Sequence, residues 1–200
     1  MPRGDRSTAT REALIRAAAS VFVSRGPHGA RVRDIAARAG VTVPALYYHF
    51  EGTDALYERV ITEGRARFLA LFDAAIARRG QARDRLQAVA DAYVEFGRED
   101  PVRLRLLCLE LFRPRGDGEF DRGVEELNAH IRGALEDVLA RGMDAGELPA
   151  ADVEQTRRLF MALLNGLLLE QARDPDAPLL DPGIAARAVC AFLDGMGAVR

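Results

Sequence analysis

The sequence predicts an all-α fold for its 200 residues. Alanine and leucine, which are both strong helix formers, occur 34 and 24 times. Apolar residues recur at spacings of three and four along most of the chain, whereas the apolar–polar alternation typical of strands is absent. Glycine and proline divide these periodic segments into about nine helices.

The first three predicted helices are short and closely spaced. They cover residues 8–24, 32–39 and 43–49. Thr42 precedes the third helix, where its hydroxyl can accept a hydrogen bond from an N–H group of the first turn. Pro44 falls within that first turn, where its missing N–H group costs nothing. We therefore expect a small three-helix domain over residues 1–52.

The rest of the chain, residues 53–200, predicts longer helices that form a second and larger domain. The predicted spans are 53–79 (starting at Thr53 or Asp54), 82–97, 101–112, 120–141, 151–173 and 182–198. Within the eighth helix, Leu159–Leu169 is apolar on nearly every side and is interrupted only by Asn165 and Gly166. A helix of this kind is expected to be buried on two sides.

The charge is divided unevenly between these two domains. The net charge of the whole chain is −2, which by itself argues against a nucleic-acid partner. Residues 1–50, however, hold eight arginines and three acidic residues, for a net charge of +5. Residues 51–200 hold 20 arginines and 27 acidic residues, for a net charge of −7. A polyanion would therefore bind the basic first domain.

Several classes of protein are disfavoured by what the sequence lacks. No run of 18 apolar residues is present, and the N-terminus has no apolar core of a signal peptide, so we expect a cytoplasmic protein with no membrane partner. Cys108 and Cys190 are too few for a disulfide scaffold or a structural zinc site. The motifs GxGxxG, GxSxG, HExxH and the P-loop are absent, so we expect no enzyme, no cofactor and no metal.

The segment from Val32 to Phe50 carries the most information. Ala36 is small enough to let two helices approach, and Gly40 suits a sharp turn between them. Ile35, Val41 and Leu46 are spaced so that all three point inward. This pattern predicts a helix-turn-helix, whose second helix enters the DNA major groove.

A longer string makes the pattern more specific. An N-terminal helix is followed by IAARAGV (35–41), by LYYHF (46–50) and by a long helix that begins near residue 54. Over roughly residues 8–60, the chain thus resembles the tetracycline-repressor (TetR) family of bacterial transcriptional regulators. The resemblance implies that residues 53–200 form a ligand-sensing and dimerising domain. It also implies a homodimer through the last two helices, at about residues 151–198.

The resemblance assigns roles on double-stranded operator DNA to particular residues. Thr42 would hold a phosphate at the start of the recognition helix, and the next three side chains would face base edges and contact thymine methyl groups. The aromatic residues that follow would lie near the backbone, while two arginines at the start of the second helix would contact phosphates. The expected DNA-binding residues are Arg31, Arg33, Thr42, Val43, Pro44, Ala45, Tyr47, Tyr48 and His49. One of the two tyrosines could instead be a packing residue, and His49 could cap or pack at the helix end.

Two positions depart from the family pattern. A threonine commonly caps the second helix where Arg31 stands, and Asp34 can partly compensate through the helix dipole. A lysine is common three residues after the LYYHF string, where this chain has Thr53. One phosphate contact could therefore be missing, or an arginine could supply it.

The second domain is expected to contain a dimer interface and a pocket for a small, unknown effector. Ala162 and Gly166 lie four residues apart on the apolar eighth helix and permit close approach to a second copy, although a plain buried core helix is the alternative. Each candidate for the pocket wall could also be an ordinary core residue. These candidates are Phe68, Phe72, Tyr93, Phe96, Cys108, Phe112, His130, Phe160 and Asn165.

Together these features favour a ligand-responsive transcriptional regulator, most simply a repressor. It would bind a near-palindromic operator as a dimer and be released by a small, mostly apolar effector. The alternative is a helical adapter that keeps the fold but binds operator DNA weakly or not at all. The departures at Arg31 and Thr53 are the only features that favour the adapter.

Overall fold

The computed structural model describes residues 3–111, 116, 119–174, 181 and 183–198. Over these residues the chain forms nine α-helices and no strands, which confirms the predicted all-α fold. The helices are α1 (Arg3–Arg25), α2 (Val32–Ala39), α3 (Val43–His49), α4 (Thr53–Ile76), α5 (Ala82–Glu99), α6 (Pro101–Leu111), α7 (Glu119–Asp144), α8 (Val153–Arg173) and α9 (Ile184–Ala198). No helix in these ranges is both long enough and apolar enough to span a membrane.

The helix boundaries differ from the sequence prediction by a few residues. Helix α8 begins at Val153 rather than residue 151, because the Asp152 carboxylate accepts a hydrogen bond from the Gln155 N–H group at 2.7 Å. Helix α1 begins at Arg3 rather than Thr8, and α4 ends at Ile76 rather than Arg79. The predicted end of α6 at Phe112 lies outside the described residues.

The apolar side chains form two cores. The first joins α1, α2 and α3 to the start of α4, where Leu56, Val60 and Ile61 are buried. Leu106 of α6 also belongs to this core, so α6 packs on the N-terminal helices. The predicted domain boundary between residues 52 and 53 stays a prediction; α4 begins directly after it and contributes side chains to both cores.

The second core is formed by side chains of the six helices α4 to α9. Its central side chains are fully buried and come from α4, α5, α7 and α8. They include Phe72, Leu86, Val89, Leu135, Leu139 and Phe160. Helix α9 packs mainly on α5, and α8 packs on α6 and α7. Among the described residues, this arrangement leaves one side of α8 exposed, and it surrounds a cavity that α4 to α8 line.

Candidate nucleic-acid interface and ligand cavity

Helices α2 and α3 form a tight helix-turn-helix. Ile35 and Leu46 are fully buried between the two helices, and Ala36 is almost so. Gly40 adopts a left-handed conformation with φ of 69°, which a glycine reaches without strain. The Val41 N–H group donates to the Ala36 carbonyl at 3.0 Å and closes the end of α2. The predicted turn and the inward positions of Ile35 and Leu46 are thus confirmed, whereas Val41 packs against this core only partly buried, because it lies in the turn that follows α2.

The start of α3 is built as the sequence predicts. The Thr42 hydroxyl accepts a hydrogen bond from the Ala45 N–H group at 3.3 Å, and Pro44 stands in the first turn. Thr42 and Pro44 are exposed, while Ala45 is partly exposed. The cap fixes the direction of α3 and leaves its first turn facing solvent.

The outer face of α3 carries large side chains that the protein does not cover. Tyr47 is 56% exposed, Tyr48 is 81% exposed and Val43 is 37% exposed. His49 is partly buried and meets the Tyr48 ring edge to face, with 5.1 Å between the ring centroids. Since neither tyrosine is a core residue, the packing alternative fails for both, and a surface of this kind is available to a partner.

The start of α2 presents Arg31 and Arg33, and both are exposed. Arg31 occupies the N-cap position, but its side chain makes no capping bond. Asp34 lies in the first turn of α2 and forms an ion pair with Arg25. Asp34 thus lies where its charge can interact favourably with the dipole of α2, as predicted, and it also pairs with an arginine of α1.

A cavity of about 430 Å³ lies between α4, α5, α6, α7 and α8. Its size falls within the usual range of small-molecule pockets. Five of the residues proposed for a pocket from the sequence stand in its wall. They are Phe68, Tyr93, Phe96, Cys108 and Asn165. The Phe68 ring meets the Tyr93 and Phe96 rings at centroid distances of 4.8 and 5.4 Å.

Three other pocket candidates lie elsewhere. Phe72 is fully buried in the core, and Phe160 is fully buried against Phe192, with 5.2 Å between their ring centroids. His130 is half-exposed, and its Nε2 lies 2.8 Å from an Asp73 carboxylate oxygen. None of the three stands in the cavity wall, because helical rotation points them away from it. Phe112 lies outside the described residues.

The charged residues of the wall were not among the pocket residues predicted from the sequence. Arg65, Arg132, Arg157, Arg158 and Glu110 all line the cavity. A signal for them exists on α8, where Arg157, Met161, Asn165 and Leu168 follow one another at spacings of four, four and three. Polar residues on a core-facing stripe of a helix point to an internal cavity.

Burial sets the chemistry of the uncharged wall groups. The Tyr93 hydroxyl lies 3.5 Å from the Met161 sulfur, and burial raises the pKa of Tyr93. Cys108 is buried beside the Leu168 carbonyl, and burial raises the pKa of its thiol to about 11. Both groups are therefore neutral near pH 7 and suit an apolar ligand.

The buried thiol leads to a simple expectation. In a Cys190→Ser variant, Cys108 should react with iodoacetamide at least about 100-fold more slowly in the native protein than in denaturant at pH 7. The thiolate reacts, and a pKa of about 11 leaves roughly one thiol in ten thousand ionised at pH 7. The rate should rise steadily as the pH approaches 11. Equal rates in native and denatured protein would mean that Cys108 is accessible.

Over the described residues, an exposed helix-turn-helix joined to a larger helical core that holds a cavity is the architecture of a helix-turn-helix DNA-binding regulator. Comparison with protein families agrees with this class. Residues 14–60 match the model of bacterial regulatory proteins of the tetR family, and residues 82–198 match the C-terminal domain of BetI-type transcriptional repressors. The chain belongs to the TetR family of bacterial transcriptional regulators.

Individual relatives are also regulators rather than enzymes. The chain is 36% identical over 107 residues to the transcriptional activator FasR of Mycolicibacterium smegmatis, which is 54% of this chain and 47% of that protein. It thus spans about half the length of this relative. It is 28% identical to the regulator SrpR of Pseudomonas putida over 84% of this chain and 77% of that one.

Among solved structures, the ketosteroid regulator KstR2 of Mycobacterium tuberculosis superposes with a TM-score of 0.79. The alignment covers 93% of this chain and 94% of that one, at 22% identity. At this level of identity, the match supports the fold alone.

Proposed function

We propose that this chain is a homodimeric repressor that binds a near-palindromic operator through α3 and is released by a small effector bound in the cavity. The observation that carries the proposal is the exposed face of α3, with Tyr47 and Tyr48 uncovered beside a capped first turn. Apolar and aromatic groups in this position suit contacts with thymine methyl groups and with the sugar–phosphate backbone. The net charge of +5 on residues 1–50 favours the same partner.

The dimer interface is proposed for the uncovered side of α8. Leu159, Ala162, Gly166 and Leu169 are all exposed and follow one another at spacings of three or four, so they form one stripe. Leu159 is 60% exposed and Leu169 is 39% exposed. A Cβ atom added at Gly166 would meet nothing within 4 Å, so the stripe has room for a second helix at close range. A twofold dimer would place two α3 helices about 34–36 Å apart, in successive major grooves.

A route from the cavity to the recognition helix runs through α6. Glu110 of α6 stands in the cavity wall, and Leu106, one turn earlier, is buried in the N-terminal core. The Tyr57 hydroxyl donates a hydrogen bond to Glu110. The Tyr57 ring packs edge to face on Phe22 of α1, with 5.1 Å between centroids. A ligand that prefers one position of α6 would therefore bias the placement of the DNA-binding helices.

Footprinting tests the proposal on the DNA that flanks the gene, at near-physiological salt. We expect protection of a near-palindrome, and the affinity should fall with salt by a slope of roughly −0.9 for each phosphate contact. Addition of the effector should release the DNA. If no site is protected at this salt concentration, the chain does not act as the proposed repressor.

Replacement of Tyr47 by alanine should weaken operator binding by roughly 10- to 100-fold, since one good contact at the DNA contributes about 1–3 kcal/mol. Leu109→Ala is the matched control, because Leu109 is 55% exposed, close to the 56% of Tyr47, and lies on α6 away from α3. Titration of both variants against the operator by band shift provides the comparison. An unchanged affinity for Tyr47→Ala would favour the adapter, or a different mode of docking.

A further inference from the structure

The charges in the cavity wall are mostly of one sign. Among the described residues that line it, four are arginines and one is acidic, Glu110. The rest of the wall is largely apolar, with aromatic rings from α4 and α5 and aliphatic side chains from α6, α7 and α8. Each of these arginines pairs with a carboxylate, but of those acids only Glu110 stands in the wall, so the wall itself presents guanidinium N–H donors to an anionic group.

Three of the wall arginines come from neighbouring parts of α7 and α8. Helices α7 and α8 run antiparallel, and the Arg157 Nε group donates to the Glu136 carboxylate at 2.8 Å across them. Arg132 lies one helical turn from Glu136, and Arg158 is adjacent to Arg157. Glu136 itself does not stand in the cavity wall.

Hydrogen bonds within the protein use only some of the N–H donors of these arginines. Arg157 is engaged through Nε with Glu136, Arg132 through one Nη group with Glu125 at 3.1 Å, and Arg158 through one Nη group with Glu154 at 2.5 Å. A guanidinium has five N–H donors, so the fork of each side chain retains donors for an anion. Arg157 is mostly buried, whereas Arg132 and Arg158 are half-exposed or more. An anion bound here would thus be partly desolvated and held by several charges.

Further along α8 from these arginines, the wall residues of the helix end with an apolar side chain. Leu168 lies eleven residues beyond Arg157 on the same helix, which is about 16 Å along the axis. Its carbonyl lies 3.9 Å from the Cys108 sulfur, and burial keeps that thiol neutral. Met161 and the Phe68 ring belong to the wall as well. The cavity therefore suits an elongated molecule with an apolar body.

We propose that the cavity binds an amphiphile whose terminal anionic group, a carboxylate or a phosphate, is held by Arg132, Arg157 and Arg158. The apolar body of the ligand extends from there towards Leu168 and Cys108. This inference rests on the proposed function, since it assigns a chemical class to the effector of that regulator. Its distinctive requirement is the negative charge, because an apolar body alone would fit many pockets of this size.

Ligands that share a ten-carbon alkyl chain but differ in the terminal group test whether the cavity requires an anion. Calorimetry without DNA should be run with decanoate, decyl phosphate, decanol and decyltrimethylammonium on the full chain. We expect decanoate or decyl phosphate to bind about tenfold or more tightly than decanol, since hydrogen bonds to charged groups are the stronger ones. The decyltrimethylammonium cation should bind most weakly. Tighter binding of decyl phosphate than of decanoate identifies the anion as phosphate, and the reverse order identifies a carboxylate.

Arginine variants test which side chains hold the anionic group of the ligand. Arg132→Gln/Arg157→Gln should abolish the preference for the anionic ligands and leave the affinity for decanol unchanged. Arg158→Gln is a milder second variant, because that side chain is largely exposed and its loss should not disturb folding. Arg141→Gln is the matched control, since Arg141 is an exposed α7 arginine that is outside the cavity wall. It should retain the full preference.

Equal or tighter binding of decanol or of the cation, or no binding of either anion, would overturn the inference. So would an anion preference that survives both arginine variants. A failure of operator binding is a separate result from these, because the calorimetry contains no DNA. That failure would refute the proposed repressor and leave the ligand class intact.

Discussion

Replacing Leu159 by arginine is expected to turn the dimer into monomers and, with it, to abolish tight operator binding. The leucine is 60% exposed in the protomer and stands at one end of the stripe that ends at Leu169. In a twofold dimer through α8, the substitution would place a charge from each copy in an apolar interface without a counter-charge. A cost of at least about 3 kcal/mol, or roughly 100-fold in the dimer dissociation constant, follows.

Loss of the dimer should also lower the affinity for the operator, because two linked recognition helices bind a palindrome far more tightly than one. Light scattering coupled to gel filtration gives the oligomeric state, and a band shift gives the affinity for the operator. Leu109→Arg is the matched control, since Leu109 is 55% exposed on α6 and the change of side chain is the same. A Leu159→Arg protein that stays dimeric would place the interface elsewhere.

The helix-turn-helix was predictable because its information is local. Gly40 and Thr42 each act on residues only three or four positions away, through a left-handed turn and a capping bond. Ile35 and Leu46 could be assigned to the interior from spacing alone, and both are fully buried. The roles of the exposed residues on DNA stay predictions, since exposure shows only that a partner could reach them.

The wall of the cavity could be predicted only in part, because it depends on the rotation of five helices relative to one another. Phe68 and Phe72 are one turn apart on α4, yet one lines the cavity and the other is fully buried in the core. Composition alone does not distinguish these two environments. The buried pair of Arg65 and Glu110 was missed for the same reason, since its residues are 45 positions apart in sequence.

That buried pair leads to the largest expected effect on stability. The Arg65 Nη2 atom lies 3.5 Å from a Glu110 carboxylate oxygen, and the other carboxylate oxygen accepts the Tyr57 hydroxyl. Glu110 is only 4% exposed. Glu110→Ala should therefore cost about 3 kcal/mol of unfolding free energy, since it removes a carboxylate partner of a mostly buried guanidinium and a partner of a tyrosine hydroxyl. In a chain of this length, the melting temperature should fall by roughly 6–12 °C.

Two further proteins separate the loss of the ion pair from the loss of a glutamate. Glu154→Ala removes an exposed carboxylate that pairs with Arg158 on α8, and it should cost less than about 0.5 kcal/mol. Glu110→Leu combined with Arg65→Met removes both charges and keeps the volume, so it should recover most of the stability, because an apolar pair often replaces a buried ion pair without loss. Chemical denaturation of all three proteins provides the free energies. If Glu110→Ala is as mild as Glu154→Ala, the junction of α4 and α6 does not depend on this pair, and the route proposed from the cavity to Tyr57 loses its main support.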